Sequence, residues 1–342
     1  MNKPFALSLL LISFSISLFG QSKTEDFELG SPGPKVQNSN YNSITLLDSR
    51  KDTSSLGIVQ LGAFNRKARV IPKTPFSRQL KILVDSLTDP TASSGRLLLQ
   101  LKQFNFAEVT GSFTERGYFH FRANLYSDSN GQYQKIASID TLVVNKSGMD
   151  VTKAMLRHGG ELVVSFIAGN LSKRPSDAYY FSMNDVMNID SIEKAAIKLY
   201  NTETYADGLY LTYNTFKEQA PDKQITAQVK NGDIIKPRTT DSSGKSIKVK
   251  PGSVYALVYQ GQPYISTDYG FYPLEKRGSD FFFIGKAKVT ANTSDVLVAS
   301  MMFGIMGSLL ASNAQATFEM QIDHVSGGFI HLREIKMPSD NN

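Results

Sequence analysis

Apolar and polar positions alternate with period two in three successive runs, Leu97 to Val109 (LLLQLKQFNFAEV), Tyr118 to Tyr126 (YFHFRANLY) and Tyr133 to Val144 (YQKIASIDTLVV). That period puts neighbouring side chains on opposite faces, so each run predicts a strand. Asn130-Gly131 tolerates the positive φ of a tight primed turn and predicts a hairpin between the last two. Ahead of them lie a strand-like run, Gly57 to Ala63, and a helix opened by Pro75. In that helix Leu80, Ile82, Leu83 and Leu87 share a face, and Asp89-Pro90 ends it. Asp150 caps a further helix over Val151 to Asn170, with Met155, Leu162, Val163 and Phe166 as core positions and Gly159-Gly160 as its weak point. The order is βαβββα, an α+β domain over residues 56–172.

The pattern changes after residues 173–204, a linker with a short helix over Ile189 to Tyr200. Leu209 to Thr215, Gln224 to Lys230, Ser246 to Lys250, Val254 to Tyr259, Pro263 to Thr267, Asp280 to Lys288, Ala316 to Ile322 and Gly328 to Ile335 are short β-branched or aromatic runs between Gly and Pro turns. They predict a β-rich antiparallel domain over 205–336, followed by a tail, 337–342. Residues 21–55 are rich in Ser, Asn, Asp, Gly and Pro and predict a flexible leader.

Two uncharged runs interrupt this plan. Phe5 to Phe19, behind Lys3 and before Gly20, predicts a signal peptide over residues 1–20, and so an exported protein in the periplasm, at the outer membrane or outside the cell. Val296 to Ala311 is sixteen residues without a charge and predicts an apolar helix inserted in the β-rich domain. On a helix Ser300, Gly304 and Ser308 recur every four residues, with Gly307 and Ala311 alongside, a stripe that lets another backbone approach closely. The stripe marks contact with a protein partner or a membrane surface. Sixteen residues fall short of the roughly 20 that a span needs, so a buried or docking helix ranks first and an interfacial contact second.

Composition removes whole classes of chemistry. With no cysteine, disulfides, thiolate nucleophiles and Cys-ligated metals are excluded. The formal charge of +6, or +5 once Lys3 is removed, comes without a basic stripe interleaved with stacking aromatics, so no nucleic-acid partner is assigned. His324 and His331 can face each other across a hairpin, yet two ligands do not make a zinc site, and no metal or cofactor is assigned. Asp128-Ser129-Asn130-Gly131 reads as a turn rather than a calcium loop, because Tyr126 and Ala137 stand where ligands are needed. No G-x-S-x-G elbow is present. Asp85-Ser86-Leu87, Asp140-Thr141-Leu142 and Asp190-Ser191-Ile192 match a short O-glycosylation pattern of Bacteroidota periplasmic proteins. Tyr259, Tyr264, Tyr269 and Tyr272 crowd one stretch, where packing competes with a platform for carbohydrate or peptide.

GLYLTYNTFKEQAP (Gly208 to Pro221), VYALVYQGQPYIS (Val254 to Ser266), FYPLEKRGSDFFFIG (Phe271 to Gly285), the apolar run and MQIDHVSGGFIHL (Met320 to Leu332) occur in an order that resembles an uncharacterised family of exported Bacteroidota proteins. The resemblance covers roughly residues 205–335 and implies a cell-envelope or secreted location. The first half is loosely similar to small auxiliary proteins of envelope transport systems. Together these readings lead to a non-enzymatic envelope module for binding or structure. The alternative is a hydrolase whose carboxylate pair only the fold assembles.

Overall fold

The computed structural model describes residues 23–62, 66–110, 115–147, 151–175, 179–289 and 314–335. Its first half runs β1 (Lys23–Phe27), β2 (Tyr41–Asp48), β3 (Gly57–Leu61), β4 (Arg66–Pro72), α1 (Phe76–Leu87), β5 (Gly95–Thr110), β6 (Glu115–Ser129), β7 (Gln132–Ser147) and α2 (Thr152–Ala168). All seven strands form one mixed sheet, ordered β1-β4-β3-β5-β6-β7, with β2 on β5. Parallel β2 pairs with the first part of β5 and β3 with its later part, so a single long strand carries both.

Residues 21–55 are therefore no leader from β1 onward. Phe27 is fully buried, Tyr41 and Ile44 are buried too, and both strands pair in parallel with interior strands. Polar composition concealed them because each contributes only one or two side chains to the core. On α1, Ile82 is solvent-exposed at 54%, because the buried face is Phe76, Leu80, Leu83, Val84 and Leu87. Asp150 lies outside the described residues.

One face of the sheet, with Leu97, Leu99, Leu101, Phe104, Phe106, Phe119 and Phe121, packs under both helices. A register shift between Leu101 and Gln103 lets the phenylalanines keep the face that the leucines began. The Gly159-Gly160 pair makes this packing possible. A Cβ at Gly159 would lie 2.7 Å from the Phe106 ring, and one at Gly160 would lie 2.9 Å from the Gly30 nitrogen. What reads as a weak point in a helix is a close contact.

The opposite face carries Leu98, Tyr126 and Tyr133, covered by Phe181, Val186 and Ile189. Those come from the segment holding α3 (Met183–Met187), α4 (Ile189–Ala195) and α5 (Lys198–Asn201). Val186, Ile189 and Leu199 are buried, so this segment packs as a layer instead of hanging as a linker.

Beyond it come β8 (Gly208–Tyr210), α6 (Tyr213–Lys217), β9 (Thr226–Lys230), β10 (Asp233–Thr240), β11 (Ser246–Lys248), β12 (Ala256–Tyr259), β13 (Gln262–Thr267), β14 (Gly270–Pro273), β15 (Glu275–Arg277), β16 (Asp280–Val289), β17 (Ala314–Ile322) and β18 (Phe329–Glu334). They form three antiparallel sheets, β11-β10-β9, β14-β13-β12-β8 and β15-β16-β17-β18. The expected α+β architecture with a β-rich second half is what the chain adopts. Alternation buries Phe281 and Phe283 in a core with Met320 and Ile322, while Phe282 turns outward under the Arg277 guanidinium, 4.0 Å away. Among the described residues no helix is long and apolar enough to cross a membrane.

Candidate functional site

The second face of the large sheet changes character along β6. Strand alternation aligns His120, Arg122 and Asn124 on the side away from α1 and α2, and all three are buried. Opposite them stand β17 and the turn after it. That turn is held rigidly: the Asp323 N–H donates to the Gly328 carbonyl at 2.8 Å, the Tyr213 hydroxyl to the His324 carbonyl at 2.7 Å, and the Tyr255 hydroxyl to the Gly327 carbonyl at 2.7 Å. Gly327 has φ of +74°, and a Cβ there would lie 2.2 Å from Tyr213, so the turn admits only glycine.

Asp323 meets Arg122 across the junction of the two halves. Arg122 donates from Nη1 to Asp323 Oδ1 at 3.2 Å and from Nη2 to both Asp323 Oδ2 and Asp140 Oδ2, the latter at 2.7 Å. His120 Nε2 lies 2.7 Å from Asp140 Oδ1. Asp323 also accepts from the Ser326 hydroxyl at 2.7 Å and the Val325 N–H at 3.2 Å. A second cluster centres on α4. Glu193 takes Lys135 at 3.1 Å, Lys102 at 3.5 Å and His324 at 3.3 Å, Asp190 pairs with Lys102, and Lys194 holds Asp280 at 2.7 Å. Between the clusters is a cleft of about 300 Å³, whose lining includes Gln100, Lys102, Arg122, Lys194, Asp323 and His324.

Electrostatics keep the acids of this junction ionised. Burial pushes the Asp140 carboxyl up, but His120 and Arg122 outweigh it and bring the group down to about 2. Glu193 likewise feels its burial first, then His324, Lys102 and Lys135, and falls to about 2. Asp323 is lowered, with Arg122 overcoming desolvation. Arg122, opposed by burial but flanked by two carboxylates, is raised. A general acid at neutral pH needs the reverse shift.

Asp190, Glu193 and His324 offer three ligand atoms within 4.8 Å of one another. The Lys102 ammonium already pairs with both carboxylates, so the chain supplies its own cation there. His331 is not part of this group. It stacks on Phe318 with centroids 4.9 Å apart, is buried, and has Nδ1 without a hydrogen-bond partner among the described residues. Burial pushes its pKa down to about 4.

The four tyrosines do not share a surface. Tyr264 is 1% exposed in the core between the β12–β13 sheet and β10, and donates its hydroxyl to the Gly232 carbonyl at 3.1 Å. Half-buried Tyr259 packs against the same core, whereas Tyr272 lies on the opposite face, against Phe283. Tyr269 is half-buried in the turn between β13 and β14. Pleat alternation divides what proximity in sequence joined. At the glycosylation patterns, Ser191 is exposed on α4, while Ser86 spends its hydroxyl on the Ile82 carbonyl and Thr141 is half-buried on β7. The signal segment, residues 1–20, and the stripe Ser300, Gly304, Gly307, Ser308 and Ala311 lie outside the described residues.

No family model and no curated protein matches the sequence. Six solved chains do. One is the crystal structure of a Xanthomonas campestris protein of the family DUF330, similar over 43% of this chain and 93% of its own at 13% identity, with a TM-score of 0.30. At that level neither fold detail nor function is transferred.

Proposed function

We propose that the chain is an exported, non-enzymatic module of the cell envelope, whose two halves form a frame that carries residues 296–311 to a protein partner or a membrane surface. The observation that supports this reading is the register of the β16–β17 hairpin, in which Val289 faces Ala314. The connection, residues 290 to 313, is twenty-four residues long and begins and ends at one point. A membrane-spanning helix takes roughly 20 residues and separates its ends by about 30 Å, leaving too few residues to return. A closed connection of this kind suits contact at one surface. The hydrolase reading draws no support from the junction, where Asp140, Glu193 and Asp323 are each held anionic by neighbouring cations or hydrogen bonds.

Gly304→Leu tests the reading. If the small-residue stripe is the contact, added bulk there abolishes association, while Leu309→Ala changes it little. The readout is sedimentation and cross-linking of purified protein, with and without vesicles of neutral phosphatidylcholine. Association unchanged in Gly304→Leu under both conditions sinks the proposal.

A further inference from the structure

Residues 223–250 carry seven Lys and Arg against two Asp, a net charge of +5 out of the chain's +6, leaving +1 for everything else. They fold as the β9–β10–β11 sheet, and every one of the seven basic side chains is exposed. None of them makes a salt bridge to a carboxylate among the described residues; Lys223 acts on Asp241 only through space. This contrasts with the junction, where each cation has its acid.

The sheet sorts these charges by face. Ile234 on β10 turns inward, onto Leu257 and Tyr264. Arg238 turns outward, directly opposite Lys248 on β11 and Thr226 on β9. Like charges directly opposite on neighbouring strands repel, so this pair opposes folding unless something anionic lies over it. Ser246 holds the guanidinium in place, its hydroxyl accepting from Nε at 2.8 Å and its carbonyl from Nη2 at 2.9 Å. A register shift between Ile235 and Arg238 bends β10 at Lys236, which has φ of +50° and is exposed. Bulges of this kind re-aim side chains. Val229 and Ile247, 44% and 38% exposed, stand opposite Ile234 and Thr239 and so share the inner face, while Lys230 on the outer face stands opposite Asp233.

We infer that the outer face of β9–β10–β11 is a docking surface for a membrane bearing anionic phospholipid headgroups. Charge complementarity selects an anionic partner, and one further feature favours a lipid headgroup layer over a single-stranded nucleic acid. No aromatic side chain stands on this sheet to stack a base, which single-stranded nucleic acid binding requires. The surface includes no residue of 296–311 and stands whether or not that segment makes a contact.

The test is flotation of the full chain with vesicles of phosphatidylcholine alone and of phosphatidylcholine mixed with phosphatidylglycerol. Binding is expected only to the mixed vesicles and should vanish at about 1 M salt, where the Debye length is near 3 Å. Each basic residue near an anionic bilayer strengthens binding roughly fivefold, so Lys230→Gln, Arg238→Gln and Lys248→Gln together should weaken it about a hundredfold. Lys153→Gln with Lys173→Gln, exposed in the first half, should leave it unchanged. If the triple variant does not fold, Lys245→Gln alone, in the exposed β10–β11 turn, should still weaken binding roughly fivefold. Equal binding to both vesicle types, full binding by the folded triple variant, or tighter binding to a random duplex oligonucleotide would each overturn the inference. Binding through residues 296–311 instead would persist on neutral vesicles and in high salt.

Discussion

Arg122→Met is expected to lower the folding free energy by about 3–5 kcal/mol, the cost of leaving a buried carboxylate without its cation. Arg122 is 9% exposed and Asp323 6%, and they are separated by 201 residues of chain, so the pair joins the first half to the last hairpin. Removing the guanidinium strands Asp323 and takes one of two partners from Asp140. The turn around Asp323 is fixed by Tyr213, Tyr255 and Gly327 and cannot swing the carboxylate out to water. Asp323→Asn keeps an acceptor for the turn while removing the charge, so the double variant should recover part of the loss, with a coupling of about 0.5–3 kcal/mol. Urea unfolding at neutral pH measures all three. A loss below about 1 kcal/mol in Arg122→Met would mean that the Arg122–Asp323 pair does not hold the halves together.

Acid is expected to destabilise the protein in two steps. His331 has a folded pKa of about 4, below the unfolded value near 6.5, so the unfolded chain takes up its proton first. Its contribution is complete above pH 6.5 and is lost as the pH falls towards 4, amounting to about 3 kcal/mol at most. Asp140 and Glu193 come next. With folded values of about 2, they give stability that is present above the unfolded carboxylate pKa, near 4, and is lost as the pH falls through 2. His331→Phe keeps the stack on Phe318 and removes the unpaired Nδ1, so it should flatten the upper step and leave the lower one. Unfolding free energies from neutral pH down to about pH 3 decide this; an unchanged upper step in His331→Phe contradicts it.

The parts of the fold that repeat a local pattern were legible in the sequence. The alternation of β5, β6 and β7 and the Asn130-Gly131 turn, with φ of +55° and +84°, needed only neighbouring residues to specify them. β1 was not legible, because KTEDF buries only Phe27 well and owes its conformation to parallel pairing with β4. β10 was hidden by Pro237 and its charges, and its bulge breaks the period that would have revealed it. The junction left a signal that could have found its first half: His120, Arg122 and Asn124 alternate with Phe119, Phe121 and Ala123, giving a strand with a polar face amid apolar neighbours. Its second half, Asp323, sits in an ordinary turn sequence, and no local pattern points from there to Arg122. The charge of residues 223–250 was present in the composition but became one surface only when three strands aligned it.

The claim that residues 296–311 serve contact and not the core is tested most directly by removing the connection altogether. Because Val289 and Ala314 face each other, replacing residues 290–313 with Asn-Gly closes the hairpin with a two-residue turn suited to its twist. The variant should keep the melting temperature of the intact chain and lose the co-sedimentation with the cell-envelope fraction that persists in about 1 M salt, where the charged β9–β10–β11 surface is screened. A lowered melting temperature would assign the segment to the core, and co-sedimentation retained in that salt would place the contact elsewhere; either result contradicts the account.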